Sequence, residues 1–207
     1  MDEITLRAYA KINLSLEITG RRPDGYHDIR SLMQGIDLSD DIHLTKCLKN
    51  GTKYNLPHCL IDGVVVYLCT DAKTIPLDMS NLAFKGIRAV LGRLREDGKD
   101  DVRDFEELLV TIDKRLPVAA GIAGGSGNAA AILRWLTPQY PVLPWQDIAC
   151  RTGADVPFLF SGLRAAQVAG IGDQIRPLPP LSLSGVVAFP KWDVGTGNAY
   201  AELDSAY

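Results

Sequence analysis

Apolar and polar residues alternate along the first part of the chain with the two-residue period of β-strands. Residues 4–19 form the first such run, and the apolar positions that would share one of its faces are Ile12, Leu14, Leu16 and Ile18. The Pro, Asp and Gly of residues 21–25 predict a turn directly after it. Residues 29–45 predict a second strand, interrupted by a polar run at residues 37–41. We therefore expect the chain to begin with two long strands joined by a turn.

The rest of the chain mixes short apolar runs with helical periodicity. Residues 81–95 place leucine, isoleucine and valine at intervals of three and four, which predicts an amphipathic helix. Residues 129–136 are almost wholly apolar, so the helix predicted there must be buried. Shorter predicted elements are strands at residues 64–68, 108–112 and 185–189 and a helix at residues 146–151. This mixed order predicts one α+β domain with its strands and helices packed in layers.

The composition of the 207 residues is that of an ordinary globular protein, with 46% apolar and 23% charged residues. A formal net charge of −3 provides no field that would attract nucleic acid or an anionic membrane. The apolar runs are too short to cross a bilayer, and the acidic amino terminus lacks the profile of a signal peptide. Four cysteines without a CxxC pair favour reduced thiols over a metal site. We therefore expect a cytoplasmic protein without a nucleic-acid partner, a membrane partner or a metal-ligand cluster.

The most specific motif is the segment PVAAGIAGGSGNAA at residues 117–130, which we call the glycine-rich segment. Its glycines at positions 121, 124, 125 and 127 allow a sharp turn and a close approach of a ligand to the backbone. Free N–H groups at a helix start suit a phosphate chain, and Ser126 adds a hydroxyl donor. The segment has neither the GK[ST] ending of a P-loop nor the GxGxxG spacing of dinucleotide and protein-kinase loops. The alternative is a flexible turn that packs a helix tightly on a sheet.

Two other places put polar side chains among apolar neighbours. Lys11 and Asn13 lie two residues apart on the first strand, and a buried lysine needs a partner or a ligand; alternatively, Lys11 faces outward on an edge strand. Asp155, in TGADVPF, suits either a base for a substrate hydroxyl or a helix cap. Phosphoryl transfer needs a phosphate cradle, a cation near the reacting hydroxyl and an acid that orients or deprotonates it. Together with the glycine-rich segment, these residues favour a small-molecule kinase.

This set of residues resembles the GHMP kinases. The matching segments are AYAKINLSLEITGRRPDGYHDIRSL, NLAFKGI, KRLPVAAGIAGGSGNAAAIL, GADVPFLFSG and VAGIGDQIRPLPP. The pairing of Lys-x-Asn with Arg-x-Asp-Gly-Tyr-His is similar to the branch that acts on a cytidine diphosphate-linked methylerythritol, and differs from mevalonate, homoserine and galactose kinases. The resemblance implies the GHMP amino-terminal domain, a fold like domain 2 of ribosomal protein S5, with a mixed sheet and helices on one face.

The resemblance also implies the residues of a phosphoryl-transfer site. Lys11 and Asp155 match the catalytic pair that acts on the substrate hydroxyl, and Asn13 matches a substrate contact near that hydroxyl. The positions that match the ATP site are Asn81, Lys114, Pro117, Gly121, Gly124, Gly125, Ser126, Gly127 and Asn128. The implied donor is ATP, with Mg²⁺ carried on its phosphates and no protein ligand cluster for the metal.

The implied acceptor is CDP-methylerythritol, phosphorylated on its 2-hydroxyl in the non-mevalonate isoprenoid pathway. Tyr26 and His27 match residues that hold cytosine by stacking and by hydrogen bonding. Tyr200 matches a second aromatic residue on the other side of the base, and a stacked aromatic pair contributes about 0.5–1.5 kcal/mol. The alternatives are another GHMP acceptor that lacks cytosine, and an ATP-binding module without turnover.

Two departures from the family pattern affect these expectations. Gly127 stands where many members carry a serine, which removes one possible phosphate donor. Members normally continue into a second, ferredoxin-like domain that carries another glycine-rich stretch facing the nucleotide. We therefore expect residues 1–207 to form the amino-terminal, nucleotide- and substrate-binding domain alone, without the carboxy-terminal domain.

Overall fold

A computed structural model describes residues 2–47, 54–99 and 106–189, together with residue 202. The strands are β1 (Asp2–Arg21), β2 (His27–Cys47), β3 (His58–Ile61), β4 (Val64–Thr70), β5 (Glu107–Asp113), β6 (Ala165–Gly170) and β7 (Gln174–Pro177). The helices are α1 (Leu82–Glu96), α2 (Gly124–Leu136), α3 (Trp145–Thr152) and α4 (Val156–Ser161). None of these helices is long and apolar enough to cross a membrane.

Strand β2 is the centre of one seven-stranded sheet. β1 pairs with it antiparallel along its whole length, so that the two strands form a long hairpin. On the other edge of β2, β5 pairs with residues 41–47 and β6 pairs with residues 29–34. β4 and β5 are parallel, whereas the other described pairings are antiparallel. The predicted mixed sheet of an α+β fold is confirmed.

The turn between β1 and β2 forms where the sequence predicts it. The N–H of Gly25 donates to the carbonyl of Arg22 at 3.1 Å, and the N–H of Tyr26 donates to the side chain of Asp24 at 3.1 Å. Gly25 has a φ of 88°, a conformation that glycine adopts without steric cost. The local chemistry of Asp and Gly is therefore sufficient to close this hairpin.

A β-bulge interrupts the alternation of β1. The register against β2 shifts between Asn13 and Ser15, which leaves Leu14 as an extra residue on β1. A bulge reverses the order of faces, so the prediction that the four apolar residues from 12 to 18 share one face is wrong. Leu14 and Leu16 are 41% and 50% exposed.

The polar run at residues 37–41 lies within β2 and does not end it. The register shifts by two residues at this point, because Tyr9 pairs with Ser39 whereas Ala10 pairs with Ile36. The predicted interruption of the strand is therefore wrong, and an irregular pairing takes its place. One carboxylate of the run, Asp40, is completely buried.

The main core lies between the helices and one face of the sheet. β5 turns Leu108, Val110 and Ile112 inward, as the two-residue period requires. Phe84 of α1 and Leu133 of α2 are at most 1% exposed, and burying one such side chain contributes about 1.5–3 kcal/mol. The predicted burial of the apolar part of α2 is confirmed.

The carboxy-terminal part of the described chain differs from the prediction. Residues 185–189, predicted as a strand, form no strand, and Val186 is 96% exposed. An apolar run becomes a strand only where a neighbouring strand completes its backbone hydrogen bonds, and no described strand pairs with this segment. The hairpin of β6 and β7, which the pattern did not indicate, forms just before it.

Candidate active site

The glycine-rich segment is half loop and half helix. Helix α2 begins at Gly124, whereas the apolar pattern predicted a start at residue 129. Gly124, Gly125, Ser126, Gly127 and Asn128 are therefore the first residues of the helix and not part of a loop. Glycine disfavours a helix by about 1 kcal/mol per residue, so tertiary packing must stabilise this start.

The first turn of α2 has the features of an anion-binding helix end. Its N-terminal residue Ala123 provides no side-chain cap, and the first turn contains no acidic residue. The N–H groups of a first turn have no partner within a helix, and the helix dipole is positive there. Gly121 and Gly125 are exposed, so the backbone on both sides of Ala123 is open to a ligand.

Ala123 itself is held in a left-handed conformation, with a φ of 60°. This conformation costs a non-glycine residue about 1–3 kcal/mol. Glycine would avoid this cost, but its larger unfolded-state entropy would offset part of the gain in stability. We expect Ala123→Gly to raise the free energy of unfolding by about 1 kcal/mol in urea denaturation. The control is Ala120→Gly in the same loop, which has no positive φ and should lower stability by about 0.4–1 kcal/mol. Equal shifts for both variants would contradict the strain assigned to Ala123.

Gly127 packs helix α2 directly on strand β1. A Cβ at this position would lie 2.6 Å from the carbonyl oxygen of Tyr9, closer than a side chain is ever found to approach backbone. Gly127 is buried, and its N–H already donates to the carbonyl of Ala123 at 2.8 Å. The glycine is therefore needed for the close contact of helix and sheet, so the packing alternative raised for this segment applies to Gly127.

A buried carboxylate that sequence reasoning missed joins the loop to the helix. Asp40 is 0% exposed and accepts hydrogen bonds from Lys114 Nζ at 2.5 Å and from the N–H groups of Arg115 and Leu116 at 2.9 and 2.8 Å. With its amide nitrogen turned towards Asp40, Asn128 donates to the same carboxylate at 2.9 Å. In the sequence, Asp40 is one acid of the polar run at residues 37–41, a pattern that does not indicate burial.

Lys11, Asn13 and Asp155 lie together, as the sequence predicts. Lys11 Nζ is 3.4 Å from Asp155 Oδ1 and donates to Asn13 Oδ1 at 3.2 Å. The backbone N–H of Lys11 donates to the carbonyl of Ile122 at 3.1 Å, which ties this group to the glycine-rich segment. The Lys11 side chain is 5% exposed and that of Asp155 is 29% exposed. The arrangement leaves the carboxylate accessible and the ammonium enclosed beside it, which excludes the alternative of an outward-facing lysine.

Asp155 precedes α4 but does not cap it, because its side chain makes no capping hydrogen bond. The turn between β6 and β7 supports the backbone before it: a Cβ on Gly172 would collide with the carbonyl oxygen of Ala154. Gly172 has a φ of 107° and is buried. The position of Asp155 is therefore set by tertiary packing and not by helix capping.

The β1–β2 turn carries the residues predicted to hold cytosine. Tyr26 is 62% exposed and His27 is half-buried, so an aromatic face is available at the tip of the hairpin. Arg22 and the N–H of Tyr26 both donate to Asp24, and these hydrogen bonds lower the pKa of the Asp24 carboxyl. Tyr200, the second predicted cytosine contact, lies outside the described residues.

Asn81, predicted to line an ATP site, is the N-terminal cap of α1. Its Oδ1 accepts from the N–H of Ala83 at 2.9 Å, and its Nδ2 donates to the carbonyl of Pro76 at 2.9 Å. The next residue, Leu82, lies 3.9 Å from the Cβ position of Gly125, so the starts of α1 and α2 are close together. Pro117 is exposed at the beginning of the glycine-rich segment. The ligand contacts of Asn81 and Pro117 stay predictions, and the cap gives Asn81 a structural function as well.

Curated relatives match almost the whole chain. The 4-diphosphocytidyl-2-C-methyl-D-erythritol kinase of Alkaliphilus metalliredigens is 36% identical over an alignment 209 positions long, which covers 99% of this chain and 64% of the relative. The kinase of the same name from Geobacter sulfurreducens is 32% identical and covers 98% of this chain and 66% of the relative. The chain thus spans 64% and 66% of the length of these two relatives. No family model matches the chain.

Solved structures share the fold. The crystal structure of a 4-(cytidine 5'-diphospho)-2C-methyl-D-erythritol kinase matches with a TM-score of 0.59 at 28% identity, covering 84% of this chain and 55% of the other. Homoserine kinase from Cytophaga hutchinsonii matches with a TM-score of 0.54 at 14% identity, covering 97% of this chain and 60% of the other. The second match shows the fold alone.

The chain thus has a mixed sheet on which a glycine-rich helix start lies beside a lysine–aspartate pair, and its fold is similar to that of these two kinase structures. Its sequence is similar to those of two 4-diphosphocytidyl-2-C-methyl-D-erythritol kinases, at 32% and 36% identity over 98–99% of its length.

Proposed function

We propose that this chain is the nucleotide- and substrate-binding part, residues 1–207, of an ATP-dependent kinase. The proposed acceptor is the 2-hydroxyl of CDP-methylerythritol, in the non-mevalonate isoprenoid pathway. The observation that carries the proposal is the pairing of Lys11 with Asp155 at 3.4 Å, directly beside the glycine-rich segment. The names of the relatives, which match 98–99% of the chain, support the acceptor.

The start of α2 is the proposed cradle for the phosphates of ATP. Its first-turn N–H groups, without a side-chain cap or an acidic neighbour, suit a polyphosphate chain. Lys114 lies against this turn, since a Cβ on Gly124 would be 2.8 Å from its Nζ. Mg²⁺, carried on the phosphates, would neutralise charge that develops during transfer. Among the described residues, no group of three His, Cys, Asp or Glu side chains could hold a metal ion.

Asp155 is the proposed base. Its partly exposed carboxylate accepts the proton of the acceptor hydroxyl, whose oxygen attacks the terminal phosphorus of ATP. The bond from that phosphorus to the bridging oxygen breaks, and ADP leaves. Lys11, fixed by Asn13 and by the backbone contact to Ile122, holds a positive charge beside that oxygen and offsets the negative charge that develops on it. The proposed division is therefore proton acceptance by the aspartate and charge stabilisation by the lysine.

The cytidine part of the acceptor is proposed to bind at the β1–β2 hairpin. Tyr26 provides an exposed ring for stacking, His27 a hydrogen-bonding group, and Tyr200 a second ring. All four cysteines are free thiols, which fits a reducing compartment. We accordingly place the reaction in the cytoplasm.

The test is phosphate transfer by this chain from ATP to CDP-methylerythritol and, in parallel, to methylerythritol without cytidine. The proposal expects transfer to the cytidine-linked acceptor alone. Equal rates with both acceptors would remove the cytosine assignment and leave another GHMP acceptor. Calorimetric binding of ATP without release of ADP over hours would instead identify a binding module. We include this measurement because the chain spans 64% of the length of its relative. If the chain neither binds ATP nor transfers phosphate, the proposed function is refuted.

A further inference from the structure

Asp40 is a completely buried carboxylate whose two oxygens serve different parts of the chain. Oδ1 accepts the backbone N–H groups of Arg115 and Leu116, the residues that lead from β5 into the glycine-rich segment. Oδ2 accepts Lys114 Nζ and the side-chain amide of Asn128 on α2. One side chain on β2 thus fixes the loop through its backbone and the helix through a side chain.

Lys114 extends this connection to the first turn of α2. Its Nζ lies 2.8 Å from the position that a Cβ of Gly124 would take, so the lysine lies against the first residue of the helix. The side chains of Lys114 and Asp40 are 6% and 0% exposed. The pair is therefore clamped between the loop and the helix start with almost no contact to solvent.

Stability alone is a weak reason for such a pair. The desolvation of two buried charges offsets most of their attraction, so apolar residues of similar volume often stabilise a core equally well. A position-setting role accounts for features that stability does not: the two backbone N–H contacts, the contact of the lysine with a glycine, and the neighbouring phosphate cradle. The ammonium also balances the carboxylate, so that no net negative charge lies behind the positive end of the helix.

We propose that Asp40 is a positioning residue of the phosphate cradle: it holds Lys114, the 115–116 backbone and Asn128 in the arrangement that presents the start of α2 to a nucleoside polyphosphate. This rests on the proposed function, because it assumes that phosphates bind at this helix start. Asp40 acts through these neighbours and does not touch the nucleotide. Loss of its charge should therefore weaken the phosphate-dependent part of nucleotide affinity and leave the nucleoside part unchanged.

The test is calorimetric binding of ADP and of adenosine to the wild-type chain and to Asp40→Asn. Asparagine keeps the shape and an acceptor for the backbone N–H groups, but it leaves Lys114 without its counter-charge. We expect ADP affinity to fall about 10- to 100-fold, as for displaced hydrogen bonds to a charged group. Adenosine affinity should change less than about twofold, since adenosine lacks the phosphates on which such bonds depend. A merely structural role would weaken both ligands together.

Asp37→Asn is the matched control on the same strand, because Asp37 is 86% exposed and pairs with Arg164 on the surface. It should bind both ligands like the wild type. Equal ADP affinity for Asp40→Asn and the wild type would overturn the positioning role, whereas a wild-type chain that binds no ADP would refute the phosphate site itself. If Asp40→Asn does not fold, Asp40→Glu keeps the charge but displaces the carboxylate by one methylene. That variant should lose ADP affinity while keeping adenosine affinity, and unchanged ADP affinity would overturn the role.

Discussion

Asp155→Asn is expected to reduce single-turnover phosphate transfer about 1,000-fold, within the range of about 10²–10⁴ that a general base contributes. An asparagine keeps the size of the side chain but cannot take the hydroxyl proton. It also leaves Lys11, 5% exposed, without its carboxylate at 3.4 Å. ATP affinity should stay within a factor of about three, since the phosphate cradle lies on α2 and not on residues 153–155, which we call the Asp155 loop.

The matched control is Asp147→Asn on α3, where the carboxylate is 50% exposed and pairs with Arg151 one turn away. A surface ion pair of this kind contributes about 0–1 kcal/mol, so transfer should be unaffected. Quenched-flow measurement of a single turnover, with calorimetry for ATP, separates chemistry from binding. Turnover by Asp155→Asn above a tenth of the wild-type rate would remove Asp155 from the proton-transfer step.

Gly172→Ala is expected to lower the free energy of unfolding by about 2–4 kcal/mol, through overpacking and an unfavourable positive φ. The added methyl group would collide with the carbonyl oxygen of Ala154, which is backbone and cannot move aside like a flexible side chain. The β6–β7 turn must then retreat from the Asp155 loop. Turnover should consequently fall by more than ATP affinity does, by up to about 100-fold for a displacement near 1 Å.

Gly98→Ala is the control for the backbone part of this effect. Gly98 also has a positive φ, of 65°, but a Cβ there would meet nothing within 4 Å. Gly98→Ala should lower the free energy of unfolding by about 1 kcal/mol in urea denaturation and leave turnover unchanged. If Gly172→Ala is no less stable than Gly98→Ala, the contact with Ala154 does not support the Asp155 loop.

Local signals in the sequence were enough for much of the fold. The β1–β2 turn follows from Asp24 and Gly25, and α1 follows from its apolar spacing, with Asn81 as the cap at its start. β6 and β7 were missed because they are short, and because β6 contains alanine and glycine, which strands disfavour. The local pattern also predicted the start of α2 too late in the sequence, because glycine opposes helix formation. The packing of Gly127 on Tyr9 is a tertiary effect that the local pattern does not contain.

The residues of the candidate site could likewise be predicted only in part from the sequence. Lys11 and Asp155 could be found because a charged residue among apolar neighbours is visible along the chain and the family resemblance pairs them. Asp40 could not, because its partners come from residues 114–116 and from Asn128, which contact it only in the folded state. From the sequence alone, a polar run is predicted to be exposed, because the hydrogen bonds that allow its burial form only in the tertiary structure.

The two-sided pairing of β2 has a consequence for synthesis of the chain on the ribosome. β1 precedes β2 and can pair with it at once, but the edge at residues 29–34 waits for β6, which begins at Ala165. At about 5–20 residues per second, that edge stays open for on the order of 7–26 s after it has been made. During this interval it exposes unpaired N–H and C=O groups, which are a template for wrong strand partners. Slow translation between β2 and β6 should therefore favour aggregation of the nascent chain, and a chaperone that covers this edge should prevent it.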